Sequence, residues 1–149
     1  MTQTEISARY GLGIWGLATV AFSLIFFSGG GAVTYADDSS RMIIAAVILG
    51  IGFVAYFLML HQTREKSNGK TLIRDERDLE IFLQANEIAL VAVLVFVFVL
   101  GISFFLTYEN AGTLPVGWMW FLAYITACFG LLAQSLATLI VHRKTSGNV

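Results

Sequence analysis

The chain has 149 residues, 57% of them apolar and 13% charged, with a formal net charge of −1 and a mean hydropathy of +0.77. Soluble domains carry about 25% charged residues, so this composition excludes a soluble globule, and the length leaves room for one domain. The single cysteine, Cys128, excludes an internal disulfide framework and a cysteine-based zinc site; its apolar neighbours make it a small packing side chain rather than a reactive thiol.

Four apolar stretches approach the ~20 residues that cross a bilayer as a helix. They run over 11–28, 42–60, 88–107 and 117–141. Backbone in lipid must satisfy its own hydrogen bonds, so the expected fold is an all-α integral membrane four-helix bundle forming a single domain. The first stretch follows Arg9 and precedes Thr34-Tyr35-Ala36, a weak cleavage-site pattern, but it exceeds the usual 7–15 residues of a signal peptide and reads as a true span. Short connections over 29–41 and 108–116 leave 61–87 as the one sizeable segment outside the membrane.

Eight of the nine basic residues fall on one side of these spans: Arg9, Arg64, Lys66, Lys70, Arg74, Arg77, Arg143 and Lys144, with Arg41 alone on the other. The positive-inside rule therefore places both termini and the 61–87 segment in the cytoplasm. Tyr10, Tyr108, Trp118 and Trp120 stand where aromatic interface anchors are expected, and Pro115 precedes the last helix, where its missing N–H costs least.

In chain order, the first motif is Gly11-Leu-Gly13-Ile-Trp-Gly16, a literal GxGxxG. A dinucleotide site needs that pattern after a strand; opening a membrane helix, it reads as close packing by small residues. The same reading applies to Ala46 and Gly50 in the second span. Residues 74–80, Arg-Asp-Glu-Arg-Asp-Leu-Glu, hold six charges in seven positions, with Arg74–Asp78 and Arg77–Glu80 at helical spacing. The third helix is therefore expected to start well before the membrane. Asp75, Glu76, Arg77 and Asp78 form either a solvated helix start or a contact for another copy or a cytoplasmic protein.

Glu87, with Asn86 beside it, meets the inner edge of the third span, while His61 ends the second and His142 ends the last. At one depth, the three form a polar rim able to ligate a divalent metal, or, through the two imidazoles, a haem; salt bridging of Glu87 is the other use. In the last span, Ala123, Ala127, Gly130, Gln134 and Ala137 recur at offsets 0, 4, 7, 11 and 14. That is a small-residue seam in which Gln134 can bond across a helix contact. The hydroxyls of Thr19, Ser23, Ser103, Thr126, Ser135 and Thr138 have no base nearby in sequence and are expected to bond backbone. Five bases against five acids over 61–80 argue against nucleic-acid binding.

The run Asp75-Glu76-Arg77-Asp78-xx-Ile81 leading into Ala85 and an apolar helix resembles a family of small uncharacterised prokaryotic membrane proteins with four spans and a DER-type motif before the third. The resemblance implies an inner-membrane location and no particular activity. The reading that joins these features is a non-enzymatic protein acting by helix association, as a homodimer or accessory subunit of a membrane assembly, with membrane lipid around it and no cofactor required. The alternatives are a small oligomeric transporter or channel with a polar path at Gln134 and Glu87, and a metal- or haem-binding protein using His61 and His142.

Overall fold

The computed structural model describes residues 3–65 and 76–146, with side chains described for 4–61 and 79–145. Five helices follow one another: α1 (Gln3–Phe27), α2 (Ala32–Tyr35), α3 (Ser39–Glu65), α4 (Glu76–Tyr108) and α5 (Val116–Ser146). Every described residue outside them lies in a turn or short connection, and the four long helices each have the length and apolarity of a membrane span. The chain is all-helical, as its hydropathy pattern requires.

The helices outrun the apolar stretches that announce them. α4 begins at Glu76 and so runs about 18 Å, at ~1.5 Å per residue, before reaching Ile88. α5 likewise continues past Val141 to Ser146, with Arg143 and Lys144 in its last turn, where cations complement the helix dipole. The short α2 lies in what the sequence suggests is plain loop. Gly30 and Gly31 adopt φ of 100° and 65°, a region glycine enters without steric cost, and they reverse the chain tightly enough for one helical turn to form.

α1 packs against both α5 and α3, and α4 packs against α5. Each of these contacts is antiparallel. Phe22 stacks on Phe121 and Tyr124, and Gly11 meets Ser135. Trp15 meets Gly52 and Phe53 of α3, and Val93 of α4 meets Gly130 of α5. Both ends of the described chain, with the end of α3 and the start of α4, therefore share one end of the bundle; α2 sits at the other.

Burial separates a central pair from two flanking helices. Of the apolar stretches, 39% is buried in α5 and 28% in α1, against 11% in α3 and 6% in α4. At the α2 end, Phe22, Phe26, Tyr35, Ala45, Phe121 and Ile125 make one core, with Met42 of α3 and Phe96, Leu100 and Phe104 of α4 packed on it. Halfway down, a second core of Trp15, Ala18 and Cys128 draws on α3 through Ile48, Leu49 and Tyr56, but on nothing from α4. The bundle thus closes around all its helices at one end, while α4 packs mainly on α5.

Close approach at the α2 end depends on Gly117. A methyl group built there would overlap the carbonyl of Ala32, and backbone has no rotamer by which to move aside. Gly117→Ala is expected to destabilise the protein by roughly 1–3 kcal/mol, the usual cost of overpacking. Gly13→Ala, where nothing lies within 4 Å, is expected to leave stability unchanged or slightly raised. Thermal unfolding of the two variants in the same detergent checks the contrast.

Candidate functional site

The α4–α5 contact joins Asn86 to Gln134 and Tyr108 to Trp118. Ile81, Ala85 and Ala89, four residues apart on α4, are buried, as are Ala133, Ala137 and Val141 on α5. Alanine at these positions lets the two backbones come close. One residue beyond Ala85, the amide of Gln134 donates through Nε2 to Asn86 Oδ1 at 2.9 Å. At the other end of the same helix pair, Trp118 Nε1 donates to Tyr108 Oη at 2.6 Å. From Asn86 to Tyr108 is about 33 Å along α4, close to the ~30 Å hydrocarbon thickness. The two polar ties thus bracket a dry middle section, where Phe96 stacks on Phe129 at 4.2 Å and a methyl on Gly130 would lie 3.6 Å from Val93.

Of the small-residue seam, Gly130, Gln134 and Ala137 take part in this contact, Ala127 is half-buried, and Ala123 is exposed. On α3, Ala46 and Gly50 are exposed, with nothing within 4 Å of a methyl on Gly50. The helix packs instead through Ala45 and Gly52, whose added methyl would lie 3.4 Å from the Trp15 ring. The helical period decides this: residues 45, 48, 52 and 56 share the face toward α1, and 46 and 50 are turned away from it. In the GxGxxG stretch, Gly11 abuts Ser135 and Tyr56, and Gly16 approaches Leu132. These two are helix contacts, while Gly13 between them faces open space.

His61, Glu87 and His142 lie on α3, α4 and α5, with His61 and Glu87 exposed and His142 half-buried. Among the described residues no three His, Cys, Asp or Glu side chains gather as a metal-binding group, so the rim does not close into one. Glu87 makes no ion pair or hydrogen bond among the described residues; the ion pairs there are Arg9–Glu5 and Arg41–Asp38. Gln134 is engaged by Asn86, whereas Glu87 is turned outward, so the two do not line a common path within one chain. Of the charged positions before the third span, Asp75 lies outside the described residues, as do the side chains of Glu76, Arg77 and Asp78.

Of the six hydroxyls singled out from the sequence, five bond the backbone of their own helix, at distances from 2.7 Å for Thr19 to 2.9 Å for Ser135; Thr126 has no partner among the described residues. Cys128 is buried, with its thiol against Thr19.

A second polar group, which sequence reasoning missed, closes the α2 end. The carboxylate of Asp38 accepts from the backbone N–H groups of Ser40 at 3.1 Å and Arg41 at 3.3 Å, and from Arg41 Nε at 2.7 Å. The first two bonds are those of a helix N-cap. The guanidinium of Arg41 lies directly over Gly29, in the space a side chain there would fill. The signal was present in an Asp three residues before the sole base on that side, after a run of three glycines. The backbone N–H of Arg41 does most to hold the Asp38 carboxyl below the usual carboxylate range; desolvation opposes it, and the Arg41 guanidinium and the Ser40 N–H add smaller lowering effects.

Residues 14–145 match the family described as "Predicted membrane protein (DUF2178)". This chain belongs to that family. No curated protein and no solved structure matches it. The family match takes in α1 from residue 14 and the other three long helices to residue 145, including both ties between α4 and α5.

Two outcomes follow for this DUF2178 protein. Replacing Asn86 and Gln134 by leucine, singly and together, is expected to give a coupling of about 0.6–1.7 kcal/mol, the range for hydrogen bonds between membrane helices, read from a double-mutant cycle of unfolding in mixed micelles. For Asp38, the folded pKa lies below the unfolded one. Its stabilisation is therefore complete above the ordinary carboxylate range and is lost as pH falls through the folded value. Thermal melting across that acid range should fall more steeply in the native protein than in Asp38→Asn.

Proposed function

We propose that this chain is a non-enzymatic integral membrane protein that works by helix association, as a homodimer or as a small accessory subunit of a larger membrane assembly, with both termini on the cytoplasmic side of a prokaryotic inner membrane. The observation that carries the reading is the paired extension of α4 and α5. Counting ~20 residues of α4 back from Thr107 brings the hydrocarbon boundary to Ile88. Beyond it, Ile81 and Ala85 remain packed among Ala137 and Val141, as a two-helix stalk. By that count, Leu79 and Leu83 are exposed on the watery side of the boundary.

Exposed apolar side chains outside lipid mark a surface that another protein covers. The internal chemistry supports the same reading, since five of the span hydroxyls bond backbone of their own helix and the Asn86–Gln134 pair joins helices. In lipid nanodiscs, native mass spectrometry is expected to report two or more copies per disc, or a second membrane protein when the chain is purified from its own membrane. A monomer throughout, with nothing bound, would sink the proposal.

A further inference from the structure

We infer that residues 30–37, which carry α2, form a hinged plug: Tyr35 swings out of the core to the membrane surface while α1, α3 and α5 stay in place. The inference is independent of the association reading above. The two ends of the segment are pinned together, because the Arg41 guanidinium lies over Gly29 and is held there by Asp38. What lies between is a compact loop with closed ends, filled by its own side chains, which is the form of an Ω-loop. Such a loop can turn about its neck without dismantling the helices on either side. Gly30 and Gly31, at φ of 100° and 65°, stand at that neck. Glycine changes backbone region there with no side chain to collide.

Tyr35 brings the closed form close to balance. It is fully buried, its ring centroid is 5.0 Å from that of Phe26, and it shares a core with Ala45, Phe121 and Ile125. Its hydroxyl, however, has no hydrogen-bond partner among the described residues. A buried phenol usually finds one, and a donor left without it forfeits the hydration it has in water. Burial therefore favours the ring and penalises the hydroxyl. At the boundary of lipid and water a tyrosine keeps an apolar bed for the ring and water for the hydroxyl. Turned outward, Tyr35 regains a partner for its O–H and gives up little of the ring's surroundings.

The rest of α2 offers little to hold it down. Thr34 bonds back to Gly29 inside the loop, and Val33 is exposed. Among the described residues no hydrogen bond from an α2 side chain leaves the loop. The remaining seat is backbone on backbone, Ala32 against Gly117. The single turn is closed by the Tyr35 N–H on the Gly31 carbonyl, so it moves as one body. Its departure uncovers a ring-sized apolar recess among Phe26, Ala45, Phe121 and Ile125.

The test uses the full chain in nanodiscs, with carbon-13 in its aromatic rings. Relaxation dispersion should show Tyr35 exchanging with a minor form of roughly 0.1–10%, at the shifts of a hydrated phenol. In Tyr35→Phe the ring at 35 has no hydroxyl to satisfy, so the minor form should fall about tenfold or more. A second readout places a thiol in the recess. Ala45→Cys, in a chain carrying Cys128→Ser, should react with a charged, water-soluble methanethiosulfonate. Adding Tyr35→Phe, which keeps the ring and removes only the hydroxyl, should slow that reaction about tenfold. The plug is overturned if Tyr35 shows no exchange and the thiol at 45 stays unreactive, or if Tyr35→Phe changes neither readout. It is also overturned if Trp15, in the second core, opens to the same extent, because the whole bundle would then be unfolding.

Discussion

Lipid tails are as apolar as leucine, so no hydrophobic pressure drives membrane helices together; they stay together by fitting closely. In this protein the fit that the rest depends on is the contact of α1 with α5. Gly11 lets Ser135 and Tyr56 come against the α1 backbone at one end, and Phe22 and Phe26 stack with Phe121, Tyr124 and Trp118 toward the other. Aromatic pairs of this kind add about 0.5–1.5 kcal/mol each beyond the area they bury. α3 attaches to α1 and α4 to α5, the opposite members of that pair, and α2 closes one end with Tyr35.

The division of labour between central and flanking helices explains where polar groups are tolerated. Near its boundaries with water, α4 is tied to α5 by Asn86–Gln134 and Tyr108–Trp118, and between them it relies on aromatic stacking and on the space above Gly130. Thr19, Ser23, Ser103, Ser135 and Thr138 turn their hydroxyls back to carbonyls of their own helix, which removes an unpaired donor at the cost of any outward chemistry. At the α2 end, Arg41 is held by Asp38 and laid over Gly29, so the lone base there is spent on joining the start of α3 to the end of α1.

Much of this was legible in the sequence, because the bilayer reduces the options to helices of known length. The four spans and the early start of α4 follow from hydropathy and from the charges over 74–80. Gln134 stood out as a polar group in a small-residue seam, but its partner Asn86 could not be named, since the pairing depends on the rotation of two helices about their axes. The same uncertainty misplaced Ala46 and Gly50: adjacent small residues share a composition signal and differ by 100° in direction, so Ala45 and Gly52 meet α1 instead. His61, Glu87 and His142 share a depth, which one dimension can supply, but not a common point, which it cannot. Arg41 over Gly29 was hidden for a further reason, that a glycine's value there lies in an atom it lacks.

The central pair has a consequence for biogenesis. α1 is the first helix made and α5 the last, with roughly 120 residues between the end of one and the end of the other, which is on the order of ten seconds at ribosomal speed. During that interval Trp15, Phe22 and Phe26 have only α2, α3 and bilayer against them, and the newly inserted α4 lacks its main neighbour. A ribosome that stalls before residue 116 therefore leaves three inserted helices without a keystone, recognisable to membrane quality control by the aromatic side of α1 that the final helix would have covered.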